Sequence, residues 1–404
     1  MQVKGSFQLM KSLNRSVILN KIRTDGPISR AELAKSTKLT PPTVSSIVKE
    51  LLETGMIMES SQGASKGGRK PTMLVINASN FYIIGLDVGP TLLKSVLTDL
   101  NGTLVHQHEI PIPLPTSNQE LLELMRDAVQ NLLDTEEKEQ DKIIGIGVGM
   151  HGVVDVQEGV SLFAPNLQLR DVPIKSYLEE VFHIHVVVEN DARAMALGEL
   201  WFGHGNGANN IVTVNLGRGI GAGIIINGEL FHGENSIAGE IGHMTIDIRG
   251  PKCSCGNYGC LQTLASGPAI SERAAKEIAI GKQSLLQEMV DDNLEEIGGR
   301  LIHEAAKKGD QLSIDILSEA GMFLGIGLTN LIHTLNPTRI IIGGGVSQAG
   351  EFILDSIKTA IQKRGLTNSA KNTEVLLSEL GAHATALGAV SLILVEMFSV
   401  AKTE

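Results

Sequence analysis

Between residues 7 and 22 the apolar side chains Leu9, Met10, Leu13, Val17 and Leu19 recur at helical spacing, which predicts an amphipathic helix that stops at Asp25-Gly26-Pro27. Ser29-Arg30-Ala31-Glu32 then has the form of a capping box and opens a short second helix carrying Leu33 and Ala34. Thr40-Pro41-Pro42 opens a third, with Thr40 as N-cap and Pro41 at the first helical position, where a missing N–H costs nothing. Its apolar stripe of Val44, Ile47, Val48, Leu51 and Leu52 leaves Pro42, Thr43, Ser45, Ser46 and Lys49 facing outward. Met56-Ile57-Met58-Glu59 and Met73-Leu74-Val75-Ile76 then read as two strands around a basic, glycine-rich tip, residues 65–71.

Two short helices joined by a tight turn, the second opening with small polar residues, suit entry into a DNA major groove. The expected DNA contacts are Arg15, Pro42, Thr43, Ser45, Ser46 and Lys49, with Arg69 and Lys70 at the tip of a wing able to reach a narrow minor groove. A three-helix interaction module with incidental charge would share the apolar stripe. The caps, the turn and the basic tip agree on double-stranded DNA instead.

Downstream the periodicity changes. Residues 81–89 form an apolar strand ending in Asp87-Val88-Gly89, residues 92–100 return, and Asn101-Gly102 turns into Thr103-Leu104-Val105. Asn-Gly between apolar runs is a strong hairpin signal. The unit recurs in residues 211–217 and 221–226, with Asn227-Gly228 before Glu229-Leu230-Phe231. This repetition predicts two similar lobes, each opening with a loop whose backbone N–H groups suit a phosphate. Either loop alone is more simply a tight turn. Residues 340–345 run a third strand into glycines, a place for a nucleotide or for nothing. A cleft between two lobes is the expected site of a small ligand.

At about 100–200 residues per domain, 404 residues make two or three domains. With 42% apolar and 20% charged residues the chain is neither disordered nor a disulfide-stapled miniprotein. No uninterrupted apolar run reaches the ~18 residues of a membrane span. Met1-Gln2-Val3-Lys4-Gly5-Ser6 carries no export signal, so a cytoplasmic protein without a membrane partner is expected. The net charge of -11 is unevenly divided: residues 1–72 hold 12 Lys and Arg against 5 Asp and Glu, and the remainder 22 against 40. A basic head on an acidic body suits a polyanion at the head, and on charge alone a solvated basic face serves as well.

All three cysteines fall in Cys253-Ser254-Cys255-Gly256-Asn257-Tyr258-Gly259-Cys260, ten residues after His243. Three thiolates and an imidazole complete a tetrahedral zinc site with no open position, which is structural rather than catalytic. Three reduced thiols on a tight loop, or one disulfide with a spare thiol, are the competing readings. Clustering this close in a cytoplasmic chain favours one structural Zn2+ bound by His243, Cys253, Cys255 and Cys260.

The order Asp87-x-Gly89-x-Thr91, Glu189-Asn190-Asp191-Ala192, Gly217-x-Gly219-Ile220-Gly221, Gly239-Glu240-Ile241-Gly242-His243 and Cys-x-Cys-Gly-x-x-Gly-Cys resembles the ROK family of repressors, sugar kinases and uncharacterised reading frames. The resemblance spans almost the whole chain, and the head resembles that of the repressor branch. It implies an α/β, actin-like (ribonuclease H-like) two-lobed ATPase fold behind an N-terminal winged helix-turn-helix. The head would cover residues 1–76. A first lobe would cover 77–190, completed by a C-terminal helix at about 384–404, and a second lobe carrying the zinc site would cover 191–383. A homodimer or dimer of dimers is implied as well. So is a monosaccharide site, because Asn166, Asn190, Asp191, Glu240 and His243 match hydroxyl-binding positions. Paired acceptors and amide donors suit adjacent hydroxyls, and His243 would bind zinc through one ring nitrogen and face the sugar with the other. Alone, Asn166 or Asn190 is as readily a turn residue. Residues 242–247 and 250–255 are most similar to xylose-responsive repressors of Gram-positive bacteria.

A sugar kinase needs a base near the acceptor hydroxyl and an intact phosphate cradle. Asp191 matches the family's catalytic base. The cradle departs from the kinase pattern: Pro90 stands where kinases have glycine, removing a backbone donor, and Arg218 replaces a small hydroxyl residue, either filling the phosphate space or binding phosphate. His151 replaces a proline before Gly152, and Gln262 replaces a sugar-contacting glutamate. The expectation is a repressor that binds a palindromic operator as a dimer, is released or modulated by a monosaccharide such as xylose, and has lost kinase activity. A sugar kinase keeping its DNA-binding head, and a repressor controlled by a protein partner, are the alternatives.

Overall fold

A computed structural model describes residues 3–62, 71–134 and 140–398. The head has helices Val3–Asp25, Arg30–Thr37 and Pro41–Glu53, with strands β1 (Ile28–Ser29), β2 (Ile57–Gln62) and β3 (Thr72–Ile76) in the order β1-β3-β2. Both expected caps form: Ser29 and Glu32 close a capping box, and Thr40 Oγ1 accepts from the Thr43 N–H at 3.4 Å. The two-residue β1, paired with β3, escaped the strand reading because it is too short to show alternation. The first helix corrects its expected stripe. Leu13 and Val17 are only half-buried, while Ile18, Leu19 and Ile22 are buried, because this helix packs on the body as well as on the head.

The first lobe holds strands β4 (Tyr82–Val88), β5 (Leu92–Asp99), β6 (Leu104–Pro111) and β7 (Ile143–Met150). A small sheet of β8 (Val153–Asp155), β9 (Val160–Ala164) and β10 (Leu169–Val172) follows, then β11 (Val186–Asn190). The main sheet runs β6-β5-β4-β7-β11, with β4, β5 and β6 antiparallel and β7 and β11 added in parallel. The second lobe repeats this. Strands β12 (Ile211–Leu216), β13 (Ile220–Ile226), β14 (Glu229–Leu230), β15 (Arg339–Gly343) and β16 (Glu374–Leu377) run β14-β13-β12-β15-β16, with the same alternation of directions.

The two Asn-Gly turns are not equivalent. Asn227 and Gly228 both have positive φ (55° and 79°), the conformation of a two-residue type I′ hairpin. In the first lobe only Gly102 does, at 78°, and the register shifts at Leu97/Thr98. The Asp99 carboxylate accepts from the N–H groups of Asn101 and Thr103, both at 2.9 Å, which holds Asn101 out of the left-handed region.

Between the lobes lie a cleft helix, Asp191–Phe202, and a C-terminal helix, Ala384–Phe398. They pack without side-chain cushioning: a methyl group at Gly388 would strike the Ala194 carbonyl, and one at Gly147 of β7 the Ala389 carbonyl. Run length was too strict a guide to hydrophobic helices. Gln311–Leu335 and Gly381–Phe398 are long and apolar enough to span a membrane, but both are mostly buried and serve as core helices. The core of the head is continuous with the body: Ile18, Leu19, Ile22, Val48 and Leu51 share one cluster with Ile393, Leu394 and Phe398.

Candidate DNA face, ligand cleft and metal centre

On the recognition helix Pro41–Glu53, the side chains of Pro42, Ser45, Ser46 and Lys49 are exposed. Lys49 lies 3.7 Å from Glu53, a pair loose enough to yield to a phosphate. Thr43 was expected to face outward. It is half-buried, and its hydroxyl lies 2.8 Å from Thr40 Oγ1, so its first role is at the cap. Arg15 is half-buried, 3.7 Å from Glu50. Arg69 and Lys70 lie outside the described residues. Lys35 and Lys38 were passed over, although they flank the helix-turn-helix turn and are exposed, with Lys38 closing the second helix at φ 58°.

The structure gathers Asn166, Asn190, Asp191, Glu240 and His243 from separate elements onto one cleft of about 640 Å³, which Asp87, Pro90, His151, Asn215, Arg218 and Gln262 also line. Asn190 ends β11 and caps the cleft helix. Its Oδ1 accepts from Ala192 N at 3.0 Å and Arg193 N at 3.2 Å, and its Nδ2 donates to the Gly152 carbonyl at 3.0 Å, which leaves one amide hydrogen uncommitted. Asp191 is the first residue of that helix, and Asn215 at the end of β12 donates to its Oδ2 at 3.0 Å. Sequence reading missed Asn215, although an amide within an otherwise apolar strand end was a signal.

Burial, with Asp191 opposite, pushes the Asp87 carboxyl up to about 7. Burial also raises Asp191, against the opposing pull of His151 and of backbone N–H groups, and raises Glu240. A carboxyl raised to about 7, as at Asp87, can serve a ligand hydroxyl as donor or as acceptor. Behind them Glu189, one residue before Asn190, is fully buried. Its oxygens lie 2.7 Å from Arg193 Nε and 2.7 Å from His232 Nε2, while Arg193 Nη1 donates to the Ser236 carbonyl at 2.7 Å. This network ties the loop that leads into Glu240 to the cleft helix.

His243 and the three cysteines bring one ligand atom each to within 4.8 Å of one another. His243 Nδ1 lies 3.6 Å from Cys253 Sγ, and Cys255 Sγ lies 3.7 Å from Cys260 Sγ. Zinc bond lengths give tetrahedral edges of about 3.6 Å for N–S and about 3.8 Å for S–S, so the donor set fits. Burial and the neighbouring sulfurs push the Cys260 thiol up to about 12, so its ligating thiolate form calls for a cation beside it. The glycines of the signature shape the loop: Gly256 and Gly259 have φ of 98° and 62°. Gln262 donates from Nε2 to Cys253 Sγ at 3.3 Å, a bond that glutamate could not make to a thiolate. Its exchange for the family's glutamate thus joins the sulfur cluster to the cleft wall. Arg218 is exposed at the junction of the cleft with a second cavity of about 630 Å³, lined also by Pro268, Arg300 and His303.

One more contact lies away from both sites. The Arg23 guanidinium of the first helix sits 4.2 Å above the Trp201 ring centroid and 5.4 Å from that of Phe398, at the far ends of the cleft and C-terminal helices.

Comparison with known proteins agrees with this architecture. The ROK family profile matches residues 83–396, and a winged helix-turn-helix DNA-binding profile matches residues 14–58. A xylose repressor of Bacillus spizizenii is 36% identical, over 97% of this chain and 98% of its own. The crystal structure of a ROK family transcriptional regulator, a homolog of the E. coli MLC protein, superposes with a TM-score of 0.85 at 29% identity, over 96% of this chain and 98% of that one. A ROK family glucokinase from Streptomyces griseus in complex with glucose and AMPPNP matches with a TM-score of 0.70 and 32% identity, over 77% of this chain and 98% of its own. Two lobes of one topology, a cleft between them and a winged helix-turn-helix in front thus have one collective identity: the chain belongs to the ROK family.

Proposed function

We propose that this chain is a cytoplasmic, sugar-responsive transcriptional repressor. Its head binds a palindromic operator as part of a homodimer, and a monosaccharide, xylose by similarity to the Bacillus spizizenii repressor, binds in the cleft and releases the DNA. A structural zinc ion on His243, Cys253, Cys255 and Cys260 fixes the orientation of His243 beside the sugar.

The observation that carries this reading is the pair of helices joining cleft to head. The cleft helix starts at Asp191 and ends at Phe202, and the C-terminal helix starts at Ala384 and ends at Phe398. Asp191, Ala384 and Thr385 line the cleft, while Trp201 and Phe398 lie under Arg23. At about 1.5 Å per residue each helix spans about 18–22 Å. Glycine-mediated backbone contact between them leaves little slack. A sugar that closes the lobes therefore shifts the first helix of the head, and two heads on a two-fold axis lose register with their half-sites. Effective release requires the sugar to favour the non-binding conformer by about 10²-fold or more.

The same cleft supports a second reading, an ATP-dependent sugar kinase with a DNA-binding head. It is favoured by Asp191 in the position of a base and by the adjoining second cavity. Against it stand Pro90, without an N–H at the phosphate turn, and Arg218 at the mouth between the cavities. ATP turnover over a panel of monosaccharides separates the two. Sugar-dependent ADP release sustained over many turnovers favours the kinase, and its absence, with sugar-dependent operator release, favours the repressor.

A further inference from the structure

The hydroxyl-binding set omits a residue at the floor of the cleft. His151, just after β7, is 6% exposed. Its Nδ1 lies 3.0 Å from the Val88 carbonyl oxygen. A carbonyl only accepts, so Nδ1 carries the hydrogen, and Nε2 of the neutral ring presents a lone pair. That Nε2 is buried and has no hydrogen-bond partner among the described residues. Leaving a buried acceptor unmatched is costly, and an apolar side chain would avoid the cost. The ring lines the cleft. Asp191 lines the same space and accepts from Asn215 at Oδ2.

We propose that His151 is a specificity-determining contact of the cleft: Nε2 accepts a hydrogen bond from one hydroxyl of the bound saccharide while Asp191 takes a neighbouring hydroxyl. The inference rests on the saccharide reading of the cleft and adds to it a second acceptor, held on the first lobe. Two acceptors side by side, each just after one of the paired parallel strands β7 and β11, select a ligand with two donors in place. They reject one in which the contacted hydroxyl is missing, because Nε2 then stays unmatched. The proline that the family usually carries here makes no such demand.

The test is calorimetric titration of the full-length, zinc-replete protein with D-xylose, D-glucose and N-acetyl-D-glucosamine, then with the monodeoxy forms of whichever binds most tightly. The variant is His151→Asn, whose amide keeps the donor to Val88 and removes Nε2. The expected result is a loss of about 10- to 100-fold for His151→Asn with the parent sugar. One deoxy sugar should show a loss of similar size with the wild-type protein. The two losses should overlap rather than multiply when that deoxy sugar meets the variant. Unchanged affinity of the variant, or multiplying losses, overturns the contact. Failure of every sugar to bind the wild-type protein removes the saccharide reading and the contact with it. Should His151→Asn fail to fold, the ¹⁵N resonance of wild-type His151 Nε2 decides: a shift on saturation with sugar supports the contact, and an unmoved resonance overturns it.

Discussion

The recognition helix and the cleft meet their ligands in opposite ways. On the helix Pro42, Ser45, Ser46 and Lys49 project into solvent, and order is invested in the backbone through the Thr40 cap and the buried Val44, Ile47, Val48 and Leu51. In the cleft the side chains are already committed: Asn190 caps a helix, Asp191 accepts from Asn215 and Gln262 donates to Cys253. A duplex is long, regular and charged, so a rigid helix with short side chains can slide into its groove and gain specificity from the fit. A sugar offers only a few hydroxyls, and preformed donors and acceptors are needed to tell it from its isomers. The difference teaches where each ligand's free energy goes. DNA orders exposed side chains, whereas a sugar bridges lobes that are already ordered and can therefore move them.

The contrast can be broken at the metal, and the largest effect is expected there. Replacing Cys255 with serine should abolish metal content and weaken sugar binding by about 10²-fold or more, because His243 loses its anchor. Metal analysis by mass spectrometry beside calorimetry checks this, and wild-type sugar affinity without metal would remove the zinc site from the account. Next in size, Asp191→Ala should leave an operator complex that millimolar sugar no longer dissolves, measured as a loss of sugar affinity of about 10²-fold. Release at the wild-type sugar concentration would count against the cleft.

The link between the regions is sharpened by Arg23→Ala. Both ligands should still bind, but the factor by which sugar weakens operator binding should fall by about 2- to 30-fold, the range of a cation–π contact. A coupling factor that does not change would show that the two helices do not carry the signal. Thr40→Ala removes the cap of the recognition helix and should lower stability by about 1 kcal/mol, with a few-fold loss of operator affinity, by thermal unfolding and anisotropy. Smallest of all, Arg69→Ala should reduce the slope of log affinity against log salt by about one. An unchanged slope would leave the wing tip off the phosphates.

What could be read in the sequence follows the same division. The capping box at Ser29 and Glu32, the Thr40-Pro41 helix start and the Cys253–Cys260 loop are local, so residue type and spacing suffice to find them. The two Asn-Gly signals located both hairpins, yet only the Asp99 side chain explains why the first closes differently. The cleft followed from the repeated strand unit, but its residues were legible through family resemblance alone, because Asn166, Asp191, Glu240 and His243 converge only when two lobes face each other. Arg23 on Trp201 and Phe398 was not legible at all. It joins residues nearly 200 and 400 positions apart, and periodicity has no reach at that distance. His151 showed in the sequence only as a departure from the family's proline, and its burial and unpartnered Nε2 are what give that departure a role.

The central claim is that one chain binds operator DNA and lets go of it when sugar enters the cleft. Fluorescence anisotropy of the zinc-replete protein on DNA from upstream of its own gene, at fixed salt and with xylose, glucose and N-acetylglucosamine in turn, tests it most directly. The account predicts specific binding that one monosaccharide weakens by about 10²-fold or more. Tight, specific binding that no monosaccharide moves would contradict it.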